Sequence, residues 1–275
     1  MVWCVALKCN KIELRTEVII KIFLKAVEKK VELYNEDCLD TMKRIETASI
    51  DMILCDLPYG TTACKWDVII PFNELWNEYE RVIKDNGAIV LFASQPFTSA
   101  LIMSNPKLFR YELIWEKPNP SNPLLANKQP LKNHENICVF YKKQPNFNPN
   151  KIIRLQKDKR KQKIKEIGVF ETTGQKRIIP STDKEYKLGM SVLFFNREQT
   201  GFHPTQKPLD LLRTLIRMFT SKNEVILDNT MGSGSTGVAC IIENRNFIGI
   251  EKKKNYFDIA TNRIKEEQTQ TKLFW

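Results

Sequence analysis

Histidine is the scarcest of the common metal ligands in this sequence of 275 residues. The two histidines, His134 and His203, lie far apart and neither is flanked by a cysteine cluster, so we predict no metal site. The cysteines are odd in number and include no Cys-x-x-Cys pair, which argues against a disulfide framework and indicates a reducing compartment. They are Cys4, Cys9, Cys38, Cys55, Cys64, Cys138 and Cys240.

Long apolar runs are also missing. No stretch reaches the ~18 apolar residues that a membrane-spanning helix needs, and the first residues lack the pattern of a secretory signal. We therefore expect a cytoplasmic protein. Within an N-terminal extension over residues 1–30, the apolar residues of Thr16–Lys30 alternate with lysines, which favours a helix packed on the domain over one lying on a membrane surface.

The chain is basic, with 43 Lys and Arg against 32 Asp and Glu and a formal net charge of +11. This excess favours a polyanionic partner such as nucleic acid or an acidic membrane surface. A length of 275 residues accommodates one α/β core with an insert, but hardly two independent domains.

Strand and helix patterns alternate before Lys117 and again after about Thr200, which predicts an α/β fold. Predicted strands are Val31–Tyr34, Ser49–Cys55, Ala88–Phe92, Tyr111–Trp115, Ile137–Tyr141, Val225–Leu227 and Phe247–Ile250. Predicted helices are Leu39–Ile45, Phe72–Ile83, Pro96–Ser104, Pro208–Thr220, Ser235–Glu243 and Tyr256–Lys265. The alternation fails from Lys117 to about Thr200, where Pro, Asn and Lys accumulate, so we place an insert at residues 119–200.

A glycine-containing turn, Asp228–Thr236, follows the predicted strand Val225–Leu227 and precedes a helix. In open α/β sheets ligands bind at such turns, because glycines allow close approach and the first N–H groups of the helix meet anionic groups. Asp228 could accept from an ammonium group. Glu251 ends the next strand, where a carboxylate accepts from ribose hydroxyls, so the pattern indicates a nucleoside ligand that carries an amino acid.

A second motif, Asp56-Leu57-Pro58-Tyr59-Gly60, follows another apolar strand. It brings a carboxylate, a rigid backbone carbonyl and an aromatic ring to the same sheet edge. An exocyclic amine on a base is a poor nucleophile because its lone pair is delocalised, and acceptors at Asp56 and at the Pro58 carbonyl would help it to become tetrahedral. Tyr59 would stack on the base.

Together the two motifs resemble those of the amino-group DNA methyltransferases, which read D/N/S-P-P-Y/F and D-P-F-x-G-S-G-T-T. The resemblance spans Val31 to Lys265, and the catalytic motif precedes the cofactor loop, as in the beta arrangement of that family. It implies a Rossmann-like sheet, circularly permuted, with a catalytic half at 31–118, a target-recognition region at 119–200 and a cofactor half at 201–275.

The resemblance also assigns roles to residues. S-adenosylmethionine is the implied cofactor and adenine-N6 in double-stranded DNA the implied target, with Asp56, Pro58 and Tyr59 as catalytic residues. The segment His203-Pro204-Thr205-Gln206-Lys207-Pro208 resembles the one that precedes the cofactor strand of the family. The implied cofactor-binding residues are Asp37, Asp56, His203, Thr205, Lys207, Asp228, Thr230, Gly232, Gly234, Ser235, Thr236 and Glu251.

Two departures from the family pattern are Leu57, where Pro is usual, and Asn229-Thr230-Met231 in the cofactor loop. Neither removes a chemical group. An Asp at position 56 resembles adenine-N6 enzymes more than the cytosine-N4 enzymes, whose motif begins with Ser. Cytosine-N4 methylation remains open, as do an RNA or protein-amide substrate, a catalytically silent DNA-binding protein and, last, a nicotinamide oxidoreductase.

The basic run Lys151–Lys165 carries eight basic residues and one acid, and it suits contact with DNA phosphates. Trp66, Asp67, Trp115, Lys117 and Asn133–Glu135 lie near strand ends and are candidates for either the base pocket or the core. A homodimer and a partner restriction endonuclease are further associations that the resemblance leaves open.

Overall fold

The computed structural model describes residues 30–60, 67–121, 124, 126–148, 152–153, 186–187, 190–196 and 206–273. Its centre is an eight-stranded sheet with the order β1-β10-β9-β2-β3-β5-β4-β8, in which β5 alone runs antiparallel to the others; β6 and β7 pair separately. The strands are β1 Val31–Tyr34, β2 Ile50–Asp56, β3 Ile83–Ala93, β4 Phe109–Ser121, β5 Lys132–Phe140, β6 Ile152–Ile153, β7 Tyr186–Lys187, β8 Val192–Phe194, β9 Val225–Asp228 and β10 Asn246–Ile250.

Helices cover both faces of this sheet. They are α1 Cys38–Met42, α2 Phe72–Val82, α3 Phe97–Ser104, α4 Leu209–Phe219, α5 Ser235–Ile242 and α6 Lys254–Leu273. Strand β2 shows why the sheet needs two layers of helices. Met52 and Leu54 pack into the core with α4, α5 and α6, whereas Ile53 and Cys55 pack into the core with α1, α2 and α3.

The direction of the strands determines which residues meet. Because β1, β2, β3, β9 and β10 are parallel, their carboxyl ends share one edge of the sheet. Asp56 ends β2, Asp228 ends β9 and Glu251 follows β10 at that edge. The late part of β4 and the start of antiparallel β5 reach the same edge, which brings Lys117 and Glu135 to it.

The predicted α/β sheet is confirmed, and each helix and strand predicted between Val31 and Lys265 corresponds to an observed element. The largest differences are extensions: β4 continues to Ser121 through two prolines, and α6 continues to Leu273. Residues 119–200 contain β5 and β8, two strands of the main sheet. The circular permutation and the domain boundaries stay predictions.

Several sequence predictions lie outside the described residues: the N-terminal extension apart from residue 30, Trp66, His203, Thr205 and the basic run apart from residues 152–153. Among the helices that the structure describes, none combines the length and the apolar character needed to cross a membrane.

Candidate active site

A cavity of about 490 Å³ opens at the carboxyl edge of the sheet. Its volume is within the range of sites that hold nucleotide-sized ligands. The predicted site residues that line it are Asp37, Asp56, Pro58, Tyr59, Lys207, Asp228, Thr230, Gly232, Ser235, Thr236 and Glu251. The structure therefore brings the two sequence motifs together, although they lie about 170 residues apart in the chain.

The glycine turn between β9 and α5 contains two glycines in the left-handed region, Gly232 with φ +51° and Gly234 with φ +80°. A Cβ on Gly232 would meet no protein atom within 4 Å, so this glycine borders open space. A Cβ on Gly234 would lie 2.8 Å from the Cβ of Ala260 in α6. Gly232 therefore leaves room in the cavity, whereas Gly234 permits the packing of the turn against α6.

Asp228 is a buried acid that ends β9 and lines the cavity. Its Oδ1 accepts a hydrogen bond from the Thr230 N–H at 3.1 Å. Burial raises the pKa of Asp228 to about 7, against the opposing hydrogen bonds from Thr236 and Thr230. No lysine or arginine of the described chain forms an ion pair with this carboxylate. A ligand that brings a positive charge would satisfy it.

Glu251 and Asp37 are two further acids that line the cavity. The Glu251 carboxylate accepts from the N–H groups of Gly232 at 3.0 Å and Lys253 at 2.7 Å, which links the glycine turn to β10. Burial raises the pKa of Glu251. Asp37 caps α1 by accepting from the Leu39 N–H at 3.0 Å. Both acids keep lone pairs that can accept from a ligand.

Asp56 also lines the cavity, and side chains already engage both of its carboxylate oxygens. Tyr59 donates its hydroxyl hydrogen to Oδ1 at 2.6 Å, and the Lys207 ammonium donates to Oδ2 at 2.5 Å. The Thr230 hydroxyl donates to the Asp56 backbone carbonyl at 3.1 Å, which connects the two motifs. The Tyr59 ring stacks on Phe97, with centroids 5.0 Å apart.

Lys207 is buried, and its ammonium lies 3.4 Å from the Glu135 carboxylate as well as against Asp56. Burial by itself would lower the pKa of Lys207, but the carboxylates of Asp56 and Glu135 outweigh it and raise this pKa. The sequence motif suggested a contact of Lys207 with the carboxylate of the cofactor. In the structure its ammonium lies between two protein carboxylates.

Three residues near the site were missed or left undecided by the sequence analysis. Glu135 and Lys117 form an ion pair beside Lys207. The sequence analysis noted both only as residues near strand ends. The available signals were the Trp-x-Lys pattern of the strand that contains Lys117 and the place of Glu135 near the start of the next strand. The third, Asn229, is buried and accepts at its Oδ1 from the Tyr79 hydroxyl at 2.7 Å.

Comparison with known proteins identifies the family. The N6/N4 family model, described as DNA methylase, matches residues 50–262. The chain belongs to this family of DNA methylases. Type II methyltransferase M2.MboI from Moraxella bovis is 29% identical over 278 residues, covering 90% of this methylase and 92% of that protein. DNA adenine methyltransferase YhdJ from Escherichia coli is 27% identical over 251 residues, covering 83% and 80%.

Solved structures agree on the fold. The M1.HpyAVI complex with S-adenosylmethionine has a TM-score of 0.57 and 25% identity, covering 85% of this methylase and 99% of that chain. The cytosine-N4-specific PvuII DNA methyltransferase has a TM-score of 0.62 at 15% identity, covering 88% and 92%, and this likeness supports the fold alone.

The residues around the cavity fit S-adenosylmethionine. Its ammonium group matches the buried Asp228 carboxylate, and the space beside Gly232 admits a ligand close to the backbone. Glu251 and Asp37 also line the cavity, and their carboxylates can accept from hydroxyl and amine groups such as those of a nucleoside. The chemistry of the donor set therefore agrees with the cofactor that a DNA methylase requires.

Proposed function

We propose that this methylase transfers a methyl group from S-adenosylmethionine to the exocyclic N6 of adenine in duplex DNA. The observation that carries the proposal is the arrangement at Asp56. This carboxylate borders the cavity that Asp228 and the glycine turn also line, and Tyr59 and Lys207 fix its orientation. Asp at this position and the similarity to a protein named as a DNA adenine methyltransferase support adenine over cytosine.

The proposed cofactor half consists of Asp37, Asp228, Thr230, Gly232, Ser235, Thr236 and Glu251, which line the cavity, with Gly234 supporting the turn. Asp56 and Lys207, which the resemblance also counts as cofactor-binding, line the same cavity and contact each other. When bound, S-adenosylmethionine supplies a methyl group on a positively charged sulfur. The Asp228 carboxylate would pair with the ammonium group of this molecule, and Glu251 would accept from its ribose hydroxyls. His203 and Thr205 are assigned to the same half by resemblance alone.

The proposed substrate half consists of Asp56, Pro58 and Tyr59. A target adenine that leaves the duplex, at a cost of a few kcal/mol, would stack on Tyr59, whose ring Phe97 holds in place. Asp56 and the Pro58 carbonyl would accept the amine hydrogens and orient its nitrogen. A carboxylate has about four acceptor positions, so the bonds from Tyr59 and Lys207 leave room for the amine.

Methyl transfer then needs no covalent enzyme intermediate. Bound S-adenosylmethionine would supply its methyl group to the amine nitrogen that Asp56 and the Pro58 carbonyl hold, with the N–C bond forming as the C–S bond breaks and the positive charge passing from sulfur to nitrogen. Asp56 stabilises that charge as it develops. The nitrogen afterwards releases one proton, through Asp56 to solvent, and becomes a neutral secondary amine.

For the wider molecule, we infer that residues 119–200 recognise the DNA target and that the Lys151–Lys165 run contacts phosphates. A partner restriction endonuclease is inferred from similarity to type II enzymes, and a homodimer from the motif order.

Analysis of the methylated product tests the proposal directly. Purified protein is incubated with S-adenosylmethionine and unmethylated duplex DNA, and the DNA is digested to nucleosides for mass spectrometry. We expect N6-methyldeoxyadenosine, and at least about 100-fold less of it with Asp56→Ala. A product of N4-methyldeoxycytidine would contradict the adenine assignment, and the absence of any methylated nucleoside would contradict the enzyme activity.

A further inference from the structure

Four charged side chains form a connected row beside the cavity, and only part of this row was predicted from the sequence. Asp56 contacts Lys207, Lys207 lies 3.4 Å from Glu135, and Glu135 pairs with Lys117. Their side chains are 27%, 8%, 17% and 5% exposed, so solvent screens these charges only weakly. The row crosses three strands, because Asp56 ends β2, Glu135 is in β5 and Lys117 is in β4.

Glu135 is the central acid of this row. Burial by itself would raise its pKa, but the ammonium groups of Lys207 and Lys117 outweigh burial and lower it, so Glu135 remains ionised. Its Oε1 bonds to Lys117, whereas Oε2 is buried, faces Lys207 and makes no hydrogen bond of good geometry. Glu135 therefore acts on Lys207 mainly through charge.

The two lysines also contact aromatic rings. The Lys207 ammonium lies 5.0 Å from the centre of the Phe92 ring, and the Lys117 ammonium lies 4.7 Å from that of Trp115. Rings and carboxylates together restrict where each ammonium group can lie. Pro208, which follows Lys207, also restricts the backbone conformation of this lysine.

We propose that Glu135, anchored by Lys117, is a positioning residue for methyl transfer: it holds the charged Lys207 in place against Asp56. This inference rests on the proposed role of Asp56. A fixed ammonium keeps the Asp56 carboxylate in one orientation and partly balances its charge before the neutral amine arrives. Without Glu135, Lys207 would keep one carboxylate instead of two, and its charged form would be less stable.

The titrating groups around Lys207 belong to several elements. They are Asp56 and Tyr59 at the end of β2, Glu135 in β5, Lys117 in β4 and Asp228 at the end of β9. Burial raises the pKa of Tyr59 well above its usual range, so this phenol stays protonated. Loss of the proton from Lys207 is then the event that Glu135 opposes as the pH rises.

The test is the pH profile of kcat for Glu135→Gln, measured with saturating cofactor and DNA on full-length protein. We expect kcat to fall by about 10- to 100-fold and the KM for S-adenosylmethionine to stay within about threefold. Because the pKa of Lys207 is raised in the wild type, an alkaline limb should appear at lower pH in the variant than in the wild type. Glu135→Asp, which keeps the charge, should retain the alkaline limb of the wild type. Glu135→Gln combined with Lys117→Met removes one charge of each sign and should move the limb back.

Asp51→Asn provides a matched control. Asp51 is 13% exposed and pairs with Lys84 at 2.6 Å, on the same strand as Asp56 but at its opposite end. This variant should lose stability without moving the alkaline limb. If the wild type is active and Glu135→Gln has the same alkaline limb as the wild type, the inference about Glu135 is overturned. A wild type that methylates no DNA would overturn the proposed function as well.

Discussion

Two aspartates end neighbouring parallel strands and border the same cavity, yet their surroundings differ. Asp228, at the end of β9, is buried without an ion pair in the described structure, and burial raises its pKa to about 7. Asp56, at the end of β2, has the Lys207 ammonium on one oxygen and the Tyr59 hydroxyl on the other. The same residue type at equivalent strand ends thus has a counter-charge in one case and lacks it in the other.

This difference matches the ligands proposed for the two halves. A cofactor with an ammonium group brings its own positive charge, so Asp228 needs no lysine. The target amine is neutral until the methyl group arrives, so the protein itself supplies the cation that keeps Asp56 oriented. An acid without a counter-charge from the protein is therefore suited to binding a cationic ligand. An acid that is paired with a lysine is suited to orienting a neutral nucleophile.

The largest expected effect comes from Asp56→Ala. Methyl transfer should fall by at least about 10²- to 10³-fold, because the acceptor that stabilises the developing positive charge is removed. Cofactor affinity should change by no more than about threefold, since Asp228 and the glycine turn remain. Turnover with labelled cofactor and calorimetric titration measure the two quantities. Near-normal turnover would rule out the assigned role of Asp56.

Asp228→Asn should give the opposite result. Removing the charge that pairs with the ammonium group should weaken cofactor binding by about 2–3 kcal/mol, or roughly 30- to 150-fold. Turnover at saturating cofactor should fall much less than in Asp56→Ala. Calorimetry at several cofactor concentrations checks this, and an unchanged affinity would show that the ammonium group lies elsewhere.

The two glycines of the turn allow a loss of stability to be separated from a loss of cofactor binding. Gly234→Ala should lower the free energy of unfolding by about 2 kcal/mol or more, because the new Cβ would meet Ala260 and φ is positive. Gly232→Ala should destabilise by only about 1 kcal/mol but should weaken cofactor binding. Thermal denaturation with and without cofactor compares them. Equal loss of stability in both variants would contradict the open position of Gly232.

Tyr59→Phe should have the smallest effect. The substitution removes the hydroxyl that donates to Asp56 but keeps the ring that stacks on Phe97. Turnover should fall by about 5- to 10-fold, which corresponds to one hydrogen bond of roughly 1 kcal/mol. A loss as large as that of Asp56→Ala, measured under the same conditions, would mean that orientation by Tyr59 is essential for Asp56 to act.

The sequence predicted the residues whose patterns are local. An apolar strand that ends in Asp, and a turn with glycines before a helix, are recognisable within about ten residues. They placed Asp56, Asp228 and Gly232 at one sheet edge, and the structure has them there. Glu251 was found in the same way, from its spacing after Asp228.

Pairings between distant segments were not predictable. Lys207 reaches Asp56 across 151 positions, and Tyr79 reaches Asn229 across 150. Glu135 was hard to assign because β5 runs antiparallel, so its start rather than its end lies at the active edge. The extension of β4 was missed because prolines are usually excluded from the middle of a sheet.

The pH dependence of cofactor affinity tests the contrast between the two aspartates most directly. Titrations between pH 5.5 and pH 7 avoid the range where the amino group of the cofactor loses its proton. Because the pKa of Asp228 is raised to about 7, its carboxylate must ionise on binding, and wild-type affinity should tighten several-fold to about tenfold as the pH rises. Asp56→Ala should keep the rise, at somewhat lower pH because the charge of Asp56 contributes to the raised pKa of Asp228, and Asp228→Asn should give a flat profile. A flat wild-type profile, or a rise that disappears in Asp56→Ala instead, would contradict the account.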